Sequence, residues 1–410
     1  MKDPFIFEKS ILENGLTVVS KQIPGKKRVD VGFVIHAGAY QDPVGKSGLA
    51  HFVEHLAPHN SGLSISQILK NFDLAGGFAE LGETRFFDTS YQFCCPLENF
   101  EDSLDFFGKF LMEALFDKKA VLNEKPIIIN EFGEKYACDR DYKKHMIQLQ
   151  ELYRDTILAK IKGVVGSKKD IRNITHHDLQ EFYNTYYTPQ NMSVVVLSSF
   201  KKEDLLKKIS SSPLGKKKSG KRIVLPEPAD FENILPSDYT ERRRNRVSSG
   251  MIQVNHLLPK KFPRGTVQIF EKLVSDLLFN KIREEKRIAY QANLDIIDHV
   301  SFYESIIYIP SFELKSKNII WRIIMETIEQ VADNEEFFDE VKKITINKFN
   351  LYEHSAEGIL SSAMEMLSFN HITFSKKELR DVLKKTTFQD MIEISACYKN
   401  GRSFCILETP

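Results

Sequence analysis

Cysteine is scarce and unpaired in this 410-residue chain: there are five, Cys94, Cys95, Cys138, Cys397 and Cys405, with no regular spacing. An odd, unframed set excludes a disulfide-stapled scaffold and predicts reduced, buried thiols, for which a reducing cytoplasm is the fitting compartment. Charge of one sign is missing as well. With 57 basic against 56 acidic residues, the chain has no global field for gathering nucleic acid. No apolar run reaches the ~18 residues a membrane helix needs. The opening MKDPFIFEKS carries an acid at its third position and lacks the apolar centre of a signal peptide. These absences predict a soluble, unexported, cytoplasmic protein with neither a membrane nor a nucleic-acid partner.

What is present is apolar matter for two cores, 42% hydrophobic residues against 28% charged. At ~100–200 residues per domain, the length divides most simply in two. Short β segments come first, Phe5 to Leu12, Leu16 to Gln22 and Val29 to Ile35, separated by Asn14-Gly15 and Pro24-Gly25. After the Gly-rich HAGAYQDPVGKSG, an apolar run from Leu49 to Leu56 has helix length, and a second helical pattern, Ser64 to Leu74, stops at Gly76-Gly77. FFDTSYQF, residues 86–93, is aromatic and β-prone; Leu97, Phe100, Leu104, Phe107, Leu111 and Leu115 then recur at helical spacing. A long helical region from Lys119 to Leu158 is expected to break at Pro126, and HHDLQEFYNTYYTPQNMSVVVLSS reads as helix, turn and buried strand.

Residues 211–228, SSPLGKKKSGKRIVLPEP, lack hydrophobic periodicity and are expected to link a domain at 1–210 to one at 229–410. The second half predicts a strand at Met251 to Leu258, a helix from Gly265 to about Glu285, strands at Ala289 to Ile296 and Phe302 to Ile309, helices through Trp321 and from Phe337 to Leu351, and the closing strand SFCIL. The expected class is α+β, two related domains, each a mostly antiparallel mixed sheet with helices packed on one face. Their similar order of elements hints at an internal duplication.

Within GLAHFVEHLAP, His51 and His55 are four residues apart, so a helix stacks both imidazoles on one face within reach of one cation. Glu54 borders that face, where it can take a proton from water at a metal without being a ligand. A catalytic zinc takes three protein ligands and keeps one position open, so a further ligand must come from another element. Ala50, Phe52, Val53, Leu56 and Ala57 make the helix otherwise apolar, and polar groups in such a helix need partners. On the pentapeptide alone, an amphipathic helix whose polar face happens to carry these residues stays open. His36, His59 and His176-His177 read as structural histidines, with no helical partner evident for His36 or His59. The basic run ERRRNR at 241–246, without interleaved aromatics, reads as solvated surface.

Taken together, GLAHFVEHLAP, the Gly76-Gly77 pair and Glu131, 76 residues beyond His55, resemble the pitrilysin/insulinase family of HxxEH (inverzincin) zinc peptidases, which includes the mitochondrial processing peptidases. The resemblance implies one Zn2+ per chain, held by His51, His55 and Glu131, with Glu54 as the catalytic base. Glu124, seven residues before Glu131, would support catalysis. It continues through DLQEFYNTYYTPQNMSVVV and, in the second half, KIREEKRIAY, where it implies that Arg283 and Tyr290 bind the substrate carbonyl and stabilise the oxyanion. The chain departs from the family where GGFAELGETRFF stands in place of an Asn-Ala strand. It departs again before Arg283, where a Gly-rich loop is missing. The match covers about residues 5–200 and 250–310.

The function implied is a zinc-dependent metalloendopeptidase hydrolysing peptides or a small unfolded precursor protein inside an enclosed chamber. The peptide is expected to lie as an added strand beside a FFDTSYQF edge. That family's chamber needs four related domains and one chain supplies two, so the resemblance implies a clam-shell dimer, a homodimer before a heterodimer with a related subunit. Two other classes remain: a non-catalytic partner subunit, and a binding protein whose zinc is structural and closed by a fourth ligand. The non-catalytic subunit has no chemical need for Glu54.

Overall fold

The computed structural model describes residues 7–136, 138–154, 156–218, 220–223, 238–244, 249–299, 302–352, 355–368, 376–400 and 403–409. The chain forms two compact units, the first from segments 1–146, 160–225 and 353–373, the second from 147–159, 226–352 and 374–410. Eleven strands are described: β1 Glu8–Ile11, β2 Thr17–Gln22, β3 Arg28–Ile35, β4 Phe78–Thr84, β5 Thr89–Pro96, β6 Met192–Ser198, β7 Asp238–Arg244, β8 Gly250–Pro259, β9 Asn293–Asp298, β10 Phe302–Phe312 and β11 Ser403–Thr409. The helices are α1 Leu49–Leu56, α2 Ile65–Leu74, α3 Phe100–Glu113, α4 Lys118–Lys135, α5 Asp139–Leu152, α6 Lys168–Asn173, α7 His176–Tyr186, α8 Lys202–Ser211, α9 Pro213–Lys216, α10 Arg264–Phe279, α11 Lys317–Glu329, α12 Glu335–Tyr352, α13 Ala356–Ser368, α14 Lys376–Lys385 and α15 Phe388–Asn400. Among the described residues no helix is long and apolar enough to cross a membrane. None of the five cysteines forms a disulfide, and Cys138, expected to be buried, is exposed.

The first sheet runs β1-β2-β6-β3-β5-β4, with β2 and β6 parallel and every other pair antiparallel. Its central strand β3 is buried nearly end to end because both faces are covered. On one, Phe33 stacks on Phe107 of α3 with ring centroids 5.5 Å apart. On the other, Val34, Val195 and Leu197 meet Ile359, Leu360, Ala363, Met364 and Leu367 of α13. Each of the larger side chains among them, once fully buried, contributes ~1.5–3 kcal/mol relative to exposure. Gly32 leaves room there for Met364, whose Sδ would stand 2.2 Å from an added Cβ and would have to move. The helix covering this second face comes from the far end of the sequence, a long-range pairing that local patterns do not announce.

Three local expectations are corrected. FFDTSYQF is not an edge: Phe86 and Phe87 lie in the hairpin turn, and the strand that starts at Thr89 runs between β3 and β4. Arg85 closes that turn, its backbone N–H donating to Asp88 O at 2.8 Å and its guanidinium bonded to the Asp88 carboxylate. The outer strand is β4, whose register against β5 shifts between Glu80 and Glu83, a bulge holding Leu81 and Gly82. Second, α4 passes through Pro126 unbroken. Pro126 and Leu122 lie on its exposed face, so the carbonyl that loses its partner turns toward water. Third, part of the expected linker is structured: α9 buries Pro213 and Leu214, and Asn14 Nδ2 donates to the carbonyls of Leu214 at 2.8 Å and Lys217 at 3.0 Å. Residues 224–228 of that stretch lie outside the described residues, as do 245–246 of the basic run, whose first four residues fall in β7.

The second sheet runs β7-β11-β8-β10-β9, with β7 and β11 parallel and the rest antiparallel. This order repeats β2-β6-β3-β5-β4 strand for strand, including the one parallel pair, so the units are related as the element order suggests. Its core gathers Phe270, Leu273 and Leu278 of α10 with Leu294, Ile307 and Ile309. Buried Glu304 is satisfied by Tyr153 Oη at 2.5 Å, Asn255 Nδ2 at 2.6 Å and His299 Nε2 at 3.2 Å. Those hydrogen bonds hold its carboxyl below the usual range against the opposing effect of burial.

Candidate metal centre

Helix α1 begins at Gly48, which adopts φ +90°, a conformation glycine reaches without strain. Its first turn is capped from the preceding loop. Asp42 Oδ2 accepts the Gly48 N–H at 2.6 Å and Oδ1 accepts that of Ala50 at 2.8 Å, which satisfies donors a helix start leaves open. Burial pushes Asp42 up to about 7, against the pull of these N–H groups. From this fixed start the i, i+4 spacing brings His51 and His55 together, with Nε2 atoms 3.3 Å apart.

The acids arrive from α4, itself capped by Asp117 Oδ1, which accepts from Lys119 N and Ala120 N. Glu124 and Glu131 sit two turns apart on one face, as their seven-residue separation requires. Glu131 Oε1 lies 3.5 Å from His51 Nε2 and its Oε2 3.4 Å from His55 Nε2. Glu124 Oε1 lies 2.9 Å from His55 Nδ1. A carboxylate accepts, so His55 presents Nδ1–H to Glu124 and turns Nε2 toward Glu131. Burial opposes a charged His55 ring, but the hydrogen bonds of Glu124 and Glu131 prevail and raise its pKa to about 10. At Nε2 a cation and a proton compete for the same lone pair.

Glu54 occupies a different place. Its Oε2 is 3.9 Å from His51 Nε2 and accepts from Thr84 Oγ1 at 3.2 Å. Burial pushes its carboxyl up to about 7, with His55 and Thr84 pulling the other way. The bulge of β4 presses on it: Gly82 has φ +147°, and a Cβ there would stand 2.3 Å from Glu54 Oε1. A cleft of about 360 Å³, lined by Glu54, His55, His59, Leu69, Leu81 and Glu124 among others, opens beside this carboxylate.

The donor set fits a zinc ion. Three ligand atoms each ~2.0–2.2 Å from a common centre at tetrahedral angles stand roughly 3.3–3.6 Å apart. The three separations among His51 Nε2, His55 Nε2 and Glu131 are 3.3, 3.4 and 3.5 Å. Two imidazoles and one carboxylate are the ligand types zinc prefers, and Glu124 gives His55 the outer hydrogen bond that fixes a ligand's tautomer. His51, Glu54 and His55 also form the group of potential ligands found among the described residues, with atoms within 4.8 Å of one another.

Of the residues expected from the sequence, His51, Glu54, His55, Glu124 and Glu131 converge in the first unit, while Arg283 and Tyr290 lie in the second. Those two do meet each other. Residues Asn280–Glu285 form a π-helical turn, wider than the α-helix expected to run on to Glu285, and Tyr290 precedes β9 rather than lying in a strand. The wide turn and the positive φ of Arg287 bring Arg283 Nη1 to donate to Tyr290 O at 3.1 Å, with its guanidinium 3.8 Å from the Tyr290 ring centroid. Tyr290 is 77% exposed. Sequence reasoning missed Thr84 and Asp42 and set His59 aside as structural. His59 was readable, since it continues the i, i+4 series from His55, and its Nε2 lies 3.9 Å from Glu124 Oε2.

Two family models match most of the chain. Residues 17–160 match the model described as Insulinase (Peptidase family M16), and residues 173–350 the one described as Peptidase M16 inactive domain. The "Probable zinc protease PqqL" of Escherichia coli is 26% identical over 265 residues, 60% of this chain and 28% of that protein. The yeast mitochondrial-processing peptidase subunit beta is 28% identical over 190 residues, 45% of this chain and 39% of its own length. The matched stretch is thus well under half of either relative. Among solved structures, a protease from Helicobacter pylori superposes with TM-score 0.83 at 18% identity over 99% of both chains. The first half of the Escherichia coli PqqL protease superposes with TM-score 0.75 at 18% identity, covering 100% of this chain and 93% of that one, and at such identity both show the fold alone.

Proposed function

We propose that this chain, which belongs to the insulinase family of peptidases, peptidase family M16, is a zinc-dependent endopeptidase acting on peptides or a small unfolded protein. The observation that carries the reading is the triangle of His51, His55 and Glu131 donor atoms at zinc-ligand separations, with a fourth group, the acid Glu54, beside it and outside it. A zinc held there supplies Lewis acidity toward a peptide carbonyl and water. Glu54 takes the proton of the attacking water and passes it to the leaving amine. Thr84 holds the Glu54 carboxylate in place, and Glu124 holds His55 in the tautomer that offers Nε2.

The outer strand β4, with no described strand on its far side, offers that edge to an extended substrate, and backbone hydrogen bonding along such an edge tolerates varied side chains. Arg283 and Tyr290 serve the substrate carbonyl. A second copy of the chain completes the enclosing chamber, because one chain supplies two of the four related units.

Glu54→Gln keeps shape and removes the base. The variant is expected to retain one zinc per chain and the wild-type melting profile while peptide turnover falls by roughly 10²–10⁴-fold. Turnover unchanged in a zinc-loaded variant would sink the enzyme reading and favour a partner subunit without catalysis of its own.

A further inference from the structure

A cavity of about 470 Å³ opens in the first unit between loop 39–47 and residues Lys160, Lys162, Tyr186 and Ile223. This lies within the ~300–1,000 Å³ range of small-molecule sites. Its walls are set by backbone packing. A Cβ on Gly166 would stand 2.1 Å from Ser47 O, so the two loops touch main chain to main chain. Ser47 Oγ donates to Asp170 Oδ2 at 2.6 Å and accepts from Ser167 N at 3.2 Å, and Tyr142 Oη donates to Lys162 O at 2.8 Å.

The chemistry of the lining is cationic and aromatic. Lys160 Nζ sits 3.6 Å from the Tyr40 ring centroid. Among the described residues neither Lys160 nor Lys162 is in an ion pair, and burial lowers the Lys160 pKa with no acid opposing it. The one carboxylate on the wall, Asp42, has both oxygens engaged by the first turn of α1. A partly dehydrated ammonium facing a ring instead of an acid gains most from an incoming anion. Tyr186 is half-buried and Val44 is 99% exposed at the rim, so the mouth is apolar.

We propose that this cavity binds a small anion with a flat apolar part, Lys160 and Lys162 holding a phosphate or carboxylate head and Tyr40 and Tyr186 flanking the rest. The site is separate from the peptidase chemistry. Its loop nevertheless carries Asp42, so an occupant stiffens the support of the helix that bears His51 and His55.

The test is calorimetric titration of the whole chain at low salt with phenyl phosphate, phthalate and inorganic phosphate. Phenyl phosphate or phthalate is expected to bind at least tenfold more tightly than inorganic phosphate, and the tighter of the two identifies the head group. Lys160→Ala with Lys162→Ala should weaken that binding at least tenfold, whereas the paired Arg substitutions should keep it, with zinc content and melting temperature unchanged in both. No heat from any probe at millimolar concentration, or equal affinity in the paired Ala variant, would overturn the proposal.

Discussion

Each unit lays a helix against the outer strand of its sheet, and the two pairs differ in what the helix carries. In the first, α1 reads HFVEH from His51 to His55; in the second, α10 reads QIFEK from Gln268 to Lys272. The glutamates correspond in space as well as in pattern. Glu54 packs on Gly82, third from the end of β4, and Glu271 Oε1 accepts the N–H of Ile296, third from the end of β9, at 3.2 Å. In place of the two imidazoles the second unit has an amide and an ammonium, and Lys272 is committed to Asp276 one turn on. An amide is a weak ligand and a charged ammonium has no lone pair to give. One scaffold thus serves two ends: an acid beside two imidazoles in the first unit, and an acid spent on fastening an edge strand in the second.

The comparison breaks most sharply at the third ligand. If the helix motif alone made the metal site, Glu131 would be dispensable. The expected outcome of Glu131→Gln is instead a loss of zinc affinity by roughly two orders of magnitude or more, read by competition with a chromogenic chelator. Unchanged affinity would place the third ligand elsewhere. Next in size is Gly82→Ala. The added Cβ would stand 2.3 Å from Glu54 Oε1 at a φ of +147° that side chains avoid. A cost of about 1–3 kcal/mol in unfolding free energy is expected, together with a fall in turnover and retention of zinc. A variant that melts and cleaves like the parent would show that β4 does not bear on Glu54.

What the sequence disclosed follows the range of the interactions involved. The His51/Glu54/His55 cluster was legible because helical periodicity alone brings those side chains together. Glu124 and Glu131 needed the family resemblance, since nothing local says that α4 passes beside α1. Pro126 misled, because a proline's cost depends on whether the abandoned carbonyl faces water. The outer strand FAELGET was hidden by its glycine, its acids and its bulge, while the more aromatic FFDTSYQF attracted the edge assignment. The π turn before Arg283 and the burial of α13 on the first sheet have no periodic signature. The repeated strand order was visible only as a hint.

The smallest effect expected separates the two glutamates by their roles. Burial raises Glu271 from 4.5 to about 7, the Ile296 N–H opposing it in part. The folded state therefore binds this proton more tightly than the unfolded chain. Its contribution to stability is complete below about 4.5 and is lost as pH rises through about 7. Glu271→Gln keeps an oxygen for Ile296 N–H but cannot ionise. Relative to the parent, the variant should gain stability between pH 5 and 8, on the order of 1 kcal/mol once partial solvent screening is allowed for. The difference between parallel urea titrations of the two proteins isolates this group from every other one that titrates in the window. Zinc content and turnover should not change, because the acid that fastens β9 takes no part in the chemistry. A pH-independent difference would mean that Glu271 stays solvated, and the strand-fastening half of the comparison would fall while the metal-centred half stood.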